Sequence, residues 1–357
     1  MAFSLFKKKK SKKDDRYQTL TIKEVVNVAK DAVNLVFEKP DSFEYEPGQF
    51  ITIIKEVNGK KIRRAYSLCT TPFEDEHPAV TVKRVEGGAM SNDLNDNAKA
   101  GDQLEIMEPM GMFTTEFKAD NNRHAVFFGG GSGITPLMSI IRSILLKEPN
   151  SKTTLVYGNR REEFVIFKEL IAGLEAKHTD RFQAIHILEE GDTRYSGRPT
   201  HEMIAEICKE TNCDKNTEFY ICGPQPMMDV VSSGLNKAGF PETNVRMESF
   251  EAGKTSPSEI IDKEGASESE VTILLDGEEY SITVKKTASI LDTALDNDLD
   301  MPYSCQSGLC TACRGKCVEG QISIDEAEGL SQDELDEGYV LTCIGKPITD
   351  RVRVEMG

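Results

Sequence analysis

No run of apolar residues in this chain approaches the ~18–20 that a membrane helix needs, so no transmembrane segment is expected. A secretory signal is missing too, because Met1 to Phe6 is followed at once by lysines rather than by a longer apolar stretch. Histidine is scarce. His77, His124, His178, His186 and His201 are scattered and form no Cys-x-His pair, which argues against a Rieske-type centre and leaves no zinc pattern. Positive charge is in deficit: a formal net charge of −17 argues against general nucleic-acid binding. There are no internal repeats. What the chain does have is cysteine. Nine of them fit a reducing interior better than a disulfide framework, so the expected location is the cytoplasm.

The charge is unevenly placed. Residues 270–357 carry 18 acidic against 7 basic side chains, densest at Asp325-Glu326-Ala327-Glu328 and from Asp333 to Glu337. This is either a solvated face or a negative rim that steers a basic partner. The opposite sign stands at the start, where Lys7 to Lys13 follow Phe3, Leu5 and Phe6. Residues 1–16 read as a solubilising basic tail that could also touch an anionic membrane surface weakly.

Three segments follow. Residues 17–120 hold short alternating runs (Leu20–Val26, Ala32–Phe37, Gln49–Ile54, Arg64–Leu68, Ala79–Val85, Gln103–Met107) between Pro/Gly/Asp-rich turns, the pattern of an antiparallel Greek-key β-barrel. Residues 121–250 alternate strand and helix (Ala125–Phe128, Leu137–Leu146, Thr153–Tyr157, Phe167–Lys177, Phe182–Ile187, Thr200–Cys208, Glu218–Cys222, Met227–Lys237), which predicts a doubly wound parallel α/β domain. Residues 251–269 are Ser/Glu-rich and read as a linker. Residues 270–357 open with a hairpin turning at Asp276-Gly277, then a helix capped at Ser289, then a long loop and further strands. That order suits a small mixed sheet gripping one helix, the β-grasp arrangement.

The loop of this last segment reads Cys305-x4-Cys310-x2-Cys313, with Cys343 after 29 intervening residues. This is the plant-type spacing for four thiolates around one [2Fe–2S] cluster, and the small residues around it let backbone N–H groups turn toward sulfur. The other cysteines are expected to be structural: Cys69 in the barrel core, Cys208 and Cys213 around a helix end, and Cys317 packed in a strand leaving the loop.

Two further patterns carry chemistry. Arg64-Ala65-Tyr66-Ser67 ends a strand, and Gly88-Ala89-Met90-Ser91 opens a helix after the run holding Val82 and Lys83. A guanidinium, an aromatic face, a hydroxyl and unpaired helix-start N–H groups could serve a flavin and its phosphates. Gly129-Gly130-Gly131-Ser132-Gly133-Ile134-Thr135-Pro136 joins a strand to a helix, where a dinucleotide phosphate can meet a helix N-terminus. Asn159-Arg160 and Cys222-Gly223-Pro224 end two other strands of that domain.

In combination with Gly101-x-x-Leu104 and Pro109-x-Gly111-x-Phe113, these motifs resemble the ferredoxin–NADP reductase superfamily. With the C-terminal ferredoxin segment, the chain is similar to the reductase components of multicomponent oxygenases, of the phenylacetyl-CoA epoxidase and steroid-hydroxylase type. The resemblance implies FAD, with Arg64 and Ser91 on its phosphates, Tyr66 stacked on its ring and Ser67 near N5. It implies NAD(P)H on Gly130, Gly131, Ser132, Gly133, Pro136, Asn159, Arg160, Gly223 and Pro224, with Cys222 approaching the nicotinamide and Thr135 helping to set the transfer geometry. It further implies Phe250 as an aromatic near the flavin, and Cys305, Cys310, Cys313 and Cys343 as cluster ligands. Arg160 with Arg161, where an acid would otherwise hold a ribose, favours NADPH over NADH, although Glu162 and Glu163 follow directly. Gln306 stands where many plant-type loops have arginine.

The expected activity is an NAD(P)H oxidoreductase that passes electrons through FAD and [2Fe–2S] to a partner oxygenase, hydroxylase or desaturase. The alternatives are a regulatory electron-channelling subunit and a cluster-based redox sensor, and a sensor would consume negligible NAD(P)H with ferricyanide or cytochrome c.

Overall fold

A computed structural model describes residues 17–250 and 268–356, apart from 192 and 325–328. The basic tail of residues 1–16, most of the expected linker and the acidic run Asp325 to Glu328 lie outside the described residues. The described chain forms two compact units, a larger one containing the barrel, the α/β domain and the loop Ser304–Cys310, and a smaller one containing the rest of the C-terminal segment.

In the larger unit, β1 (Tyr17–Ala29), β2 (Ala32–Phe37), β3 (Phe50–Val57), β4 (Lys60–Ser67), β5 (Ala79–Lys83), α1 (Ala89–Asn97) and β6 (Gln103–Met110) come first. The strands run in the order β4-β3-β6-β1-β2-β5. An antiparallel bridge from Leu68, just past β4, to Val80 of β5 joins the two ends of that order and curls the sheet into a barrel. Asn58 and Gly59 both have positive φ, and this tight turn lets β3 and β4 pair from Phe50↔Ser67 to Val57↔Lys60. The inward residues Leu20, Leu35, Ile51, Ile53, Val80 and Ile106 fill the barrel.

The α/β domain contains β7 (His124–Gly130), α2 (Ile134–Lys147), β8 (Lys152–Asn159), α3 (Lys168–Lys177), β9 (Phe182–Leu188), β10 (Tyr195–Ser196), α4 (His201–Glu210), β11 (Glu218–Cys222), α5 (Gln225–Lys237) and β12 (Val245–Glu248). All its strands pair in parallel, in the order β10-β9-β8-β7-β11-β12. Ala125 and Phe127 of β7 face one apolar cluster, Val126 and Phe128 another, so both sheet faces are covered and β7 reads as a continuous apolar run. The chain order reverses at β7, which has β8 on one side and β11 on the other. The carboxyl ends of these strands frame the crevice where such sheets bind ligands.

Two strands were not expected. β10 has two residues. β12, Val-Arg-Met-Glu, lacks an apolar alternation and is held instead by its parallel register with β11.

At the opposite end of the sheet, Glu148 is fully buried. Its carboxylate accepts from Arg123 Nε (3.0 Å) and Nη2 (2.6 Å), from Asn121 Nδ2 (3.0 Å) and from Ser151 Oγ (2.7 Å). Arg123→Ala would strand that carboxylate, and a broken buried pair costs about 3–5 kcal/mol. Chemical denaturation should show a loss of that size in the α/β transition, and an unchanged midpoint would mean the network contributes nothing to stability.

The C-terminal unit holds β13 (Glu268–Leu275), β14 (Glu278–Lys285), α6 (Ile290–Asp296), β15 (Arg314–Glu319), β16 (Ile322–Ser323), α7 (Gln332–Asp336), β17 (Tyr339–Leu341), β18 (Lys346–Pro347) and β19 (Arg351–Met356). Its main sheet, β14-β13-β19-β15-β17, is mixed: β13 and β19 are parallel and the other pairs antiparallel. Asp276-Gly277 makes the expected hairpin turn, with both φ positive. Ser289 caps α6 by accepting from Asp292 N. β13 starts two residues inside the expected linker, because Ser269 is buried and pairs with Val284 despite its polar neighbours. Part of the acidic run is structural: Ser331 and Glu334 form a capping box on α7, and Glu334 also pairs with Arg314 at 2.7 Å.

Candidate functional site

The glycine loop after β7 is shaped by close approach. Gly131 has φ +52, and the Tyr157 hydroxyl donates to its carbonyl at 2.8 Å. A Cβ on Gly130 would meet Met227 Sδ and Pro224 Cδ at 2.7 Å. One on Gly223 would meet Met227 Cε at 2.8 Å and Gly130 Cα at 3.0 Å. Thr135 is buried in the first turn of α2, and its hydroxyl donates to Ser132 O at 3.0 Å, so it braces the loop. Pro136 is buried in the same turn, which contains no acidic side chain.

Beside this loop lies a cavity of about 580 Å³, within the range of cofactor sites. Gly131, Asn159, Arg160 and Pro224 line it. The Asn159 amide is buried and makes no hydrogen bond of regular geometry, with the Tyr157 hydroxyl its near neighbour, so polar capacity remains there for a ligand. Lys83 reaches the same cavity from the barrel strand β5. Its ammonium would lie 2.9 Å from a Cβ on Gly131, and burial lowers its pKa. The Arg160 guanidinium is exposed and its Nε donates to Glu190 at 3.0 Å, while Arg198 pairs with Glu189 at 3.4 Å. These residues fit a phosphorylated dinucleotide: small backbone, cation and buried amide line one space.

The barrel contributes β4. Arg64 is exposed, with Nη1 donating to Arg63 O at 2.7 Å, and Ala65 is also exposed. Tyr66 is half-buried, which pushes its phenol well above the ordinary value. Ser67 is buried. At the start of α1, Ser91 Oγ accepts from Val85 N at 3.2 Å and donates to Gly88 O at 3.5 Å. Its hydroxyl therefore holds the turn, and the N-cap Gly88 and Ala89 present a helix start with no side-chain cap. Val82 and Met90 put their side chains into the barrel core, so only their backbone groups are available to a cofactor. Phe250 is exposed.

Cys222 is the last residue of β11 and is completely buried. Burial first, and the neighbouring Glu248 second, raise its thiol well above the ordinary value. The parallel register sets Cys222 directly opposite Glu248 of β12. Glu248 is buried, one carboxylate oxygen lacks a hydrogen-bond partner, and burial pushes its pKa up to about 8. The Ser67 hydroxyl, itself without a partner of regular geometry, lies close enough to offset part of that rise. The fold thus joins a barrel residue and an α/β residue, Ser67 and Cys222, through a carboxyl that the motifs did not single out. Its only sequence signal was an acid in the short segment closing the domain.

In the cysteine loop, Cys305 and Cys310 interact side chain to side chain. Gln306 and Gly308 have positive φ, and this turn lets Ser307 N donate to Cys305 Sγ at 3.5 Å. Hydrogen bonding from the Cys310 thiol leads the causes that push Cys305 down to about 5, with burial opposing and the Ser307 and Leu309 amides assisting. Thr342 N and Oγ1 donate to Cys313 O at 3.2 and 3.1 Å, which ties the residue before Cys343 to the loop end at Cys313. Cys310, Cys313 and Cys343 are buried. Among the described residues no three His, Cys, Asp or Glu side chains converge on a point that would suit a single ion. Of the other cysteines, Cys69 is buried and donates to Asn34 Oδ1 and Ala79 O at 3.3 Å, and Cys317 contacts Glu319 O and Gly320 O.

Comparison with known proteins agrees with this geometry. Family models match for an oxidoreductase FAD-binding domain at residues 19–115, an oxidoreductase NAD-binding domain at 127–233 and a 2Fe-2S iron-sulfur cluster binding domain at 273–347. The chain is 35% identical to the ferredoxin reductase component of 3-ketosteroid-9-alpha-monooxygenase from Rhodococcus rhodochrous, over 94% of this chain and 96% of that one. It is 32% identical to one of the subunits of 1,2-phenylacetyl-CoA epoxidase from Escherichia coli, over 95% and 97%. The solved structure of phthalate dioxygenase reductase shares the fold with a TM-score of 0.61 and 23% identity, over 96% and 99%. Among the described residues no helix is long and apolar enough to cross a membrane.

Proposed function

We propose that this chain, which belongs to the family of FAD-, NAD- and [2Fe–2S]-binding reductase components of oxygenases, delivers electrons from NAD(P)H to a partner oxygenase, hydroxylase or desaturase. The observation that carries this reading is the meeting of Ser67, Glu248 and Cys222, which puts the flavin strand and the nucleotide domain at one buried place. When bound, FAD supplies the conversion of a two-electron donor into single electrons, and the cluster carries them onward. The glycine loop, Asn159 and Lys83 hold the nucleotide. Buried Cys222 excludes water from the nicotinamide end, and buried Glu248, its pKa raised first by that burial, stands directly opposite it. Cys305, Cys310, Cys313 and Cys343 hold the cluster. The acidic surplus of the C-terminal residues suits a partner with a basic docking face. The cysteine spacing, which suits a cluster rather than a disulfide framework, fits a cytoplasmic setting.

The cavity charge, with Lys83, Arg160 and Arg198 set against Glu189, favours NADPH over NADH. Glu190 occupies Arg160 and so competes with a 2′-phosphate. Glu190→Gln is expected to raise the NADPH/NADH ratio of kcat/KM by about 2–5-fold, the worth of an exposed ion pair. An unmoved ratio in steady-state assays would place the discriminating group elsewhere.

The proposal as a whole is tested on the purified protein under anaerobic conditions. NADPH should bleach the flavin absorbance and produce the EPR signal of a reduced [2Fe–2S] cluster, with turnover on cytochrome c. Flavin bleaching with no EPR signal would remove the cluster from the path, and negligible turnover would favour a sensor.

A further inference from the structure

Helix α4 ends in a Schellman motif. Asn212 takes the left-handed conformation (φ 57), its N–H bonds to Lys209 O at 3.3 Å, and the next N–H, of Cys213, bonds back to Cys208 O at 2.9 Å. This motif ordinarily sets two apolar side chains against each other, one three residues before the cap and one two residues after it. Here those two positions are Cys208 and Cys213. With standard backbone dimensions, a 2.9 Å bond between Cys213 N and Cys208 O limits the two Cα atoms to about 6.8 Å apart. A disulfide spans roughly 4.4–6.8 Å between Cα atoms, so the pair stands within bridging range without unwinding the helix.

We propose that Cys208 and Cys213 form a redox-modification site, a dithiol that hydrogen peroxide oxidises to an intramolecular disulfide. The two thiols differ in access: Cys208 is 4% exposed within the apolar cluster, whereas Cys213 is only partly buried at its edge. Thr211 Oγ1 stands 3.2 Å from Cys213 Sγ. Hydrogen bonding from the Cys208 thiol, with Thr211 and Thr217 assisting against burial and Asp214, lowers the Cys213 pKa. Cys213 is therefore the attacking thiolate. Its sulfur bonds to one peroxide oxygen as the O–O bond breaks and hydroxide leaves, giving a sulfenic acid. Cys208 sulfur then attacks that sulfur, the S–O bond breaks, and the hydroxyl leaves as water with the thiol proton. Overall, two thiol hydrogens and two electrons pass to one peroxide, yielding a disulfide and two waters.

The peptide map makes the test direct, because Lys209 lies between the two cysteines and trypsin separates them. The full-length holoprotein is pulsed with hydrogen peroxide, quenched with N-ethylmaleimide and digested without reductant. The expected product is a linked pair of peptides containing Cys208 and Cys213, lighter by two hydrogens and separated again by dithiothreitol. It should accumulate roughly tenfold faster than oxidation of Cys69 or Cys317, as expected for the more thiolate-rich site. Both thiols remaining alkylated while Cys317 oxidises would overturn the proposal, and so would over-oxidation of Cys213 to the sulfinic acid without linkage. In Cys208→Ser the sulfenic acid has no resolving partner, so dimedone should label Cys213. Dimedone labelling absent from that variant would overturn the assignment of Cys213 as the attacking thiol.

Discussion

Cys310→Ser abolishes the iron–sulfur signal and leaves flavin reduction by NAD(P)H intact: this is the sharpest expected result. Cys310 is buried, and in the proposed ligand set its loss removes one of four thiolates, which serine does not replace as a soft sulfur donor. Changing even an outer-shell partner of a metal site costs about 10–100-fold in affinity or activity, and a lost thiolate costs more. Reduction of a one-electron partner protein should therefore fall at least ~100-fold. Ferricyanide reduction, which can draw on the flavin alone, should fall little. The glycine loop, Ser67, Glu248 and Cys222 lie in the larger unit, which also holds Cys305 and Cys310, and the charge of Cys305 reaches Glu248, so survival of flavin reduction is the stringent half of this test. A variant that kept its cluster EPR signal would remove Cys310 from the ligand set, and one that also lost flavin reduction would show the two centres to be structurally coupled.

Gly133→Ala is expected to be nearly as damaging, for a reason of space alone. Gly133 has φ −60 and ψ −10, a right-handed helical conformation that alanine prefers to glycine by about 1 kcal/mol. The added Cβ, however, would fall far inside van der Waals contact of the Cys222 carbonyl and 2.8 Å from Gly223 N. Those are backbone atoms at the end of β11 and have no rotamer by which to retreat. The loop or the strand end must shift, and with it the position of Cys222. Misplacement by about 1 Å can cost 100-fold in rate, so kcat/KM for NAD(P)H should fall by about that factor. Gly173→Ala is the control. It lies inside α3 with nothing within 4 Å of the added Cβ, so it should stabilise by about 0.5–1 kcal/mol and leave the kinetics unchanged. Wild-type kcat/KM in Gly133→Ala would mean that the tight seat of the loop against β11 has no functional role.

These expectations differ in how far the sequence alone reached. The cysteine spacing, the Asp276-Gly277 turn and the glycine loop between β7 and α2 were legible because each is a local event: residues a few positions apart must adopt particular φ values or present atoms to one ligand. The alternation of β and α likewise followed from periodicity, and most strands and helices lie where that reading put them, within a few residues. β12 was missed because its four residues carry no alternation and owe their conformation to β11. The bonds by which the Ser91 hydroxyl holds the turn before α1 depend on where Val85 and Gly88 come to lie, which the sequence did not show.

Short-range spacing and side-chain chemistry were enough, before any coordinates, to indicate the three kinds of domain and the cofactor classes. Only the tertiary structure decided that Glu248 stands between Ser67 and Cys222, that Lys83 of the barrel reaches the nucleotide cavity, and that Glu190 occupies Arg160. Strand register and domain packing bring together residues far apart in the chain, and no local pattern encodes that distance.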